Sequence, residues 1–286
     1  MNPMPENAAD LAEMEANLPD LGKSRTQRLA SSVLPPLSLG LVIIGLWYFV
    51  SYVILDEMRR FLLRPPHQVL LVGFADLDNF SEILGGLWSS AKVAFIGLSL
   101  AIIIGLSLAI LMSQSKLIEK AVFPYAVTLQ AIPILAIVPL IGFWFGFGLN
   151  ARVIVCVIIS LFPLIVNTLF GLLSAPRGLH DLLTLQGVSR ITRLRKLMFP
   201  AALPAIFAGL RISAGLSVIG AIVGDFFFGR GDAGIGQLLQ RYASRLQGEQ
   251  LLAAIIMSSL LGVVVFQLFG WVQEKAIGKW HEEQSA

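Results

Sequence analysis

Six apolar runs constrain this chain more than any motif. They lie near 33–55, 88–112, 121–147, 152–173, 202–228 and 251–272, each long enough for the roughly 20 residues that cross about 30 Å of hydrocarbon. Charged residues make up 14% of the 286 positions and hydrophobic residues 56%, with a mean hydropathy of +0.78; a typical soluble domain is roughly 25% charged. So few charges suit a chain whose solvent is lipid. The expected fold is an all-α integral membrane protein with six transmembrane helices.

Residues 1–22 are polar and carry Glu6, Asp10, Glu13, Glu15 and Asp20 without a Lys or Arg. That composition reads as a disordered tail and lacks the basic start of a secretory signal peptide. Lys23, Arg25 and Arg28 precede the first run, which puts the N terminus in the cytoplasm under the positive-inside rule. With six crossings, the segments on that side carry twelve of the 21 Lys and Arg and those on the other side seven. Both termini are then cytoplasmic. The division along the chain is a tail at 1–30, a first span with an external linker at 31–87, a core at 88–275 containing a cytoplasmic loop at 174–201, and a tail at 276–286.

The formal charge of +3 does not indicate nucleic acid, because the basic residues are scattered among apolar runs. The single cysteine, Cys156, lies inside an apolar run, so neither an intramolecular disulfide nor a Cys-based metal site is available to it. No G-x-x-x-x-G-K-[ST] phosphate loop, H-E-x-x-H pair or G-x-S-x-G elbow occurs, and His67, His180 and His281 fall outside the runs. The chain is expected to be no enzyme and to hold no cofactor or metal of its own.

Polar and helix-breaking residues inside the runs mark a candidate pathway. Gln130 to Gly148 reads QAIPILAIVPLIGFWFGFG, with Pro133 and Pro139 in the middle of a span. A proline frees a carbonyl that lipid does not satisfy, so such breaks persist where they are buried or line a cavity; an ordinary kink is the alternative. Asn167 either bonds a neighbouring helix or lines the pathway. Arg211 and Asp225 lie fourteen residues apart, roughly 21 Å along a straight helix, too far to pair. Arg211 is expected to snorkel to the cytoplasmic interface, and Asp225 to stand near the outer mouth within reach of water. In the second run, Gly97, Ser99, Gly105 and Ser107 are read as helix-packing positions.

The segment Asp181–Pro204, DLLTLQGVSRITRLRKLMFPAALP, carries the most specific pattern. Leu182, Leu183 and Leu185 give a short helix an apolar patch with no lipid to cover it. Gly187 permits a turn at its end, a second helix starts at Arg190, and Pro200 is expected to stop it. Arg190, Arg193, Arg195 and Lys196 are read as contacts to anionic lipid headgroups. Nine residues separate Gly187 from Leu197, which is followed by Met198, Phe199 and Pro200.

This spacing resembles the loop signature of permease subunits of bacterial ATP-binding-cassette importers: a Glu-Ala-Ala triad, three residues, Gly, nine residues, an aliphatic, one residue, Leu, Pro. Asp181, Leu182 and Leu183 occupy the triad positions here. RPPHQVL, FPLIVNTLFG and IGAIVGDFFFG, together with the Gln130–Gly148 segment, extend the resemblance over about 60–275. They resemble the branch that imports nitrate, sulfonates, taurine, bicarbonate or thiamine-precursor pyrimidines. The resemblance implies a type I importer permease in a bacterial inner membrane, paired with a second copy, a cytoplasmic ATPase that uses the ATP, and an external substrate-binding protein. It also implies ATPase coupling through Asp181, Leu182, Leu183, Gly187, Val188, Leu197, Phe199 and Pro200. Without it, one intramembrane acid would leave a self-sufficient secondary transporter or channel open, and a membrane scaffold with no solute pathway as well. On solute charge, Asp225 at the mouth speaks against a site built only for anions, and the outer arginines speak for one.

Overall fold

The computed structural model describes residues 25–281; the acidic stretch 1–22 and the end of the 276–286 tail lie outside the described residues. Every regular element among them is helical, and they fall into two units, Met1–Pro66 and His67–Ala286.

In the first unit, α1 (Arg25–Phe49) runs into a wide turn, Val50–Ile54. Between Leu34 and Ile54 only Ser51 is buried. Pro35 and Pro36 open the apolar run but sit inside α1, because the helix begins well before the run does. Trp47 Nε1 donates to Arg64 O at 2.9 Å and Ser51 Oγ to Leu63 O at 2.9 Å, while Arg60 Nε donates to Ser51 O at 3.2 Å. These bonds tie the 3-10 turn Glu57–Leu62 back onto the helix.

The second unit contains α2 (Leu77–Gln114), α3 (Lys116–Ala131), α4 (Ile134–Phe145), α5 (Leu149–Leu173), α6 (Arg177–Leu185), α7 (Phe199–Phe227), α8 (Ile235–Ser244) and α9 (Gly248–His281). Asp76 starts α2 by accepting from the Asp78 and Asn79 N–H groups, as an N-cap aspartate should. Helix α5 packs between α2 and α7. A Cβ on Gly97 of α2 would lie 2.3 Å from Cys156 Sγ, and one on Gly220 of α7 would lie 2.8 Å from Cys156 Cα. The backbones therefore approach as closely as small residues permit, with the buried free thiol filling the seam. Gly105 packs likewise on Leu164. Ser107 is exposed, and Ser99 bonds Phe95 O of its own helix, so only the glycines of that expected packing set meet α5.

The run 121–147 is not one straight crossing as expected: α3 and α4 are bent by 102°. Pro133 has no N–H to continue the α3 ladder, and it drives Ile132 to an extended ψ of 127°. Pro139 is absorbed inside α4. Among the described residues, five helices are able by length and composition to cross a membrane, or six if the bent pair counts as one span.

Candidate functional site

Two regions carry the candidate chemistry: a surface helix with its following turn, and the polar groups within the spans. None of the α6 residues is buried, and Leu182 and Leu185 are 50% and 87% exposed. The helix ends at Gly187, whose φ of +66° favours a residue without a Cβ. Gly187 N–H donates to Thr184 O at 3.0 Å and Val188 N–H to Leu183 O at 3.1 Å. This crossed pair is the Schellman arrangement, which satisfies the last helical carbonyls. Leu183 and Val188 are half-buried, the positions that such a turn brings together. Asp181 lies exposed on α6.

Ser189 starts the next helical segment, Arg190–Arg193, by accepting from Thr192 N–H at 3.2 Å. Arg193 reaches back across the turn and donates to Thr184 Oγ1 at 2.8 Å. Its guanidinium braces the two arms, a role that the headgroup reading of the cations missed. Pro200 does not stop this helix. Arg190–Arg193 passes through a wide turn, Leu194–Met198, and continues into α7 with Pro200 in its first turn. The wider turn accommodates the ring and its missing N–H. Leu197 and Pro200 are half-buried and Phe199 is 38% exposed. The anchor that the spacing passed over is Met198, buried among Leu172, Ala202 and Ile206.

Of the candidate pathway residues, Gln130, Pro133 and Pro139 lie exposed on α3, α4 and the break between them. Asn167 sits elsewhere: it donates to Pro163 O of its own helix at 2.7 Å and lies where a Gly209 Cβ would be 2.9 Å away. It is thus a local brace and not a bond to the neighbouring helix. Asp225 is 0% exposed and is not at a water-filled mouth in this chain. Its Oδ1 forms an ion pair with Arg152 Nε at 3.0 Å, and Arg152 itself is 3% exposed. Arg152 Nη2 donates to Asp232 O at 2.9 Å. Ser90 Oγ contacts Asp225 Oδ2 and accepts from Ile235 N–H at 2.8 Å. A Cβ at Gly234 would collide with the Asp225 carboxylate, and one at Gly236 with Ile222 O at 2.2 Å. The G-x-G segment therefore clasps the carboxylate, and α8 is seated on α2, α7 and α9. Glu82 adds to that seat, accepting from Arg241 and Tyr242 at 2.5 Å each.

Arg152 stands at the head of an apolar run, the place of a loop cation. The signal that could have recovered it was Asp225, an intramembrane carboxylate that needs a partner. Arg211 has different surroundings. Its Cζ lies 4.1 Å from the Phe266 ring centroid on α9, beside Gly270, and it makes no hydrogen bond or ion pair among the described residues.

Residues 101–278 match the family described as the binding-protein-dependent transport system inner membrane component. The formylaminopyrimidine transport permease protein ThiX of Halalkalibacterium halodurans is 31% identical over 226 residues, 79% of this chain and 88% of that protein. The putative aliphatic sulfonates transport permease protein SsuC of Escherichia coli is 31% identical over 220 residues, 77% of this chain and 82% of its own. The fold is shared with the inward-facing MetNI methionine transporter at a TM-score of 0.55 and 18% identity, covering 69% of this chain and 99% of that one. The chain belongs to the binding-protein-dependent inner-membrane components, as a multi-pass permease subunit of an ATP-binding-cassette importer.

Proposed function

We propose that this permease forms the translocation pathway of an ATP-driven importer of a small polar solute, of the sulfonate or pyrimidine type that its relatives are named for. Two copies pair to enclose the pathway. An external binding protein delivers the solute to one mouth, and a separate cytoplasmic subunit binds and hydrolyses ATP at the other end. The observation that carries this reading is α6: an exposed leucine-bearing helix outside the spans, rigidly joined through Gly187, Ser189 and Arg193 to the long helix that becomes α7. A push on α6 is then passed into a span without an intervening flexible joint. Leu182 and Leu185 supply the docking surface, at about 1.5–3 kcal/mol for each leucine fully buried. The triad leucines imply a partner groove wider and more apolar than one fitted to alanines.

Copurification with the cognate ATPase tests this. Leu182→Asp and Leu185→Asp together, or Gly187→Pro, should abolish complex formation or ATP-dependent uptake while membrane insertion persists. Full coupling in these variants rejects the docking role, and ion-gradient-driven uptake by the permease alone rejects the importer reading.

A further inference from the structure

A cavity of about 680 Å³ opens between α7 and α9, with Ile212, Ile219, Val263 and Phe266 among its apolar walls and Arg211, Ser258, Ser259 and Gln267 as its polar groups. A charge within a span needs a partner, a cavity or a route to the interface. Arg211 has no carboxylate partner among the described residues, whereas Arg152 is paired with Asp225. That pairing also cancels the charge of Asp225, so it does not oppose an anion along α7. Phe266 stacks on the Arg211 guanidinium at 4.1 Å, and a ring on the flat face leaves the in-plane N–H donors available. Ser258 and Ser259 spend their own hydroxyl protons on Ala254 O and Ile255 O, which leaves the donor character of the groove with Arg211 and the Gln267 amide.

We propose that this groove is a solute site for a small oxyanion of single negative charge, a sulfonate, nitrate or carboxylate, with Arg211 as its recognition point. The planar fork of the guanidinium matches two oxygens of such a group, and the apolar walls accept its organic part. The inference rests on the pathway reading above and names the chemical class of its cargo.

The probe is radiolabelled methanesulfonate, with uncharged dimethyl sulfone as the shape control. Equilibrium binding is measured on the permease–ATPase complex in phosphatidylcholine nanodiscs, at constant ionic strength and without the binding protein. Saturable methanesulfonate binding is expected, with dimethyl sulfone competing at least about tenfold more weakly. Arg211→Gln should weaken binding about tenfold or more, and Arg211→Lys, which keeps the charge but loses the fork, should restore part of it. Equal competition by dimethyl sulfone, or undiminished binding by Arg211→Gln, overturns the site. A wild-type complex that hydrolyses ATP but binds no methanesulfonate also overturns it and leaves the importer reading standing. If no complex forms, the importer reading fails, and binding to the permease alone still decides the site.

Discussion

Two arginines lie in the spans of this permease, and the fold treats them in opposite ways. Arg152 on α5 is enclosed, paired with Asp225 of α7 and bonded to Asp232 O. Arg211, on the same helix as Asp225, is held against an aromatic ring at the edge of an open groove and has no counter-charge among the described residues. The first belongs to the rigid assembly of the helices. The second keeps its donors for something that the described residues do not supply. In lipid both charges are costly, so the contrast separates an arginine that helps the protein hold its shape from one available to a visitor.

The largest effect should come from breaking the enclosed pair. Arg152→Met or Asp225→Leu alone should cost about 3–5 kcal/mol, since each leaves a buried charge uncompensated. Thermal unfolding in detergent reads this directly, and the double variant should recover most of the loss. Near-normal stability in either single variant would mean that water reaches the node. Gly236→Ala, which drives a Cβ into the Ile222 carbonyl, should cost about 1–3 kcal/mol by overpacking in the same assay. At the open groove, Arg211→Gln should cost no more than about 1 kcal/mol, the scale of a partly exposed cation–π contact. A loss as large as that of Arg152→Met would erase the distinction between the two arginines. Gly215→Ala, in the groove wall, should change stability least. Its Cβ would meet Phe266 at an ordinary 3.8 Å, and replacing a mid-helix glycine offsets any loss by about 0.5–1 kcal/mol.

Local features were legible wherever one residue dictates its own backbone. Pro133 broke the third run and Gly187 turned the chain as their chemistry requires, and Gly97 and Gly105 packed against α5. Pro200 misled because its effect depends on the preceding turn: a wide turn at Leu194–Met198 lets the helix continue through it. Asn167 misled because an amide finds a carbonyl four residues back on its own helix as readily as one across an interface. Arg152 was hidden by position. An arginine at the head of an apolar run looks like a loop cation until a neighbouring helix supplies Asp225.

By itself, the sequence determined that this protein lives in lipid, which stretches are apolar and long enough to cross it and where a short leucine-bearing helix follows one of them, because apolar length, proline and glycine act through local backbone and solvent energetics. Only the tertiary structure decided the pairing of charges. Asp225 could have faced water, and the surroundings of both Asp225 and Arg211 depend on which helix packs against α7 at each height. Burial against α5 and α2 gave Asp225 an arginine and a serine, while the opening toward α9 gave Arg211 a ring and a cavity.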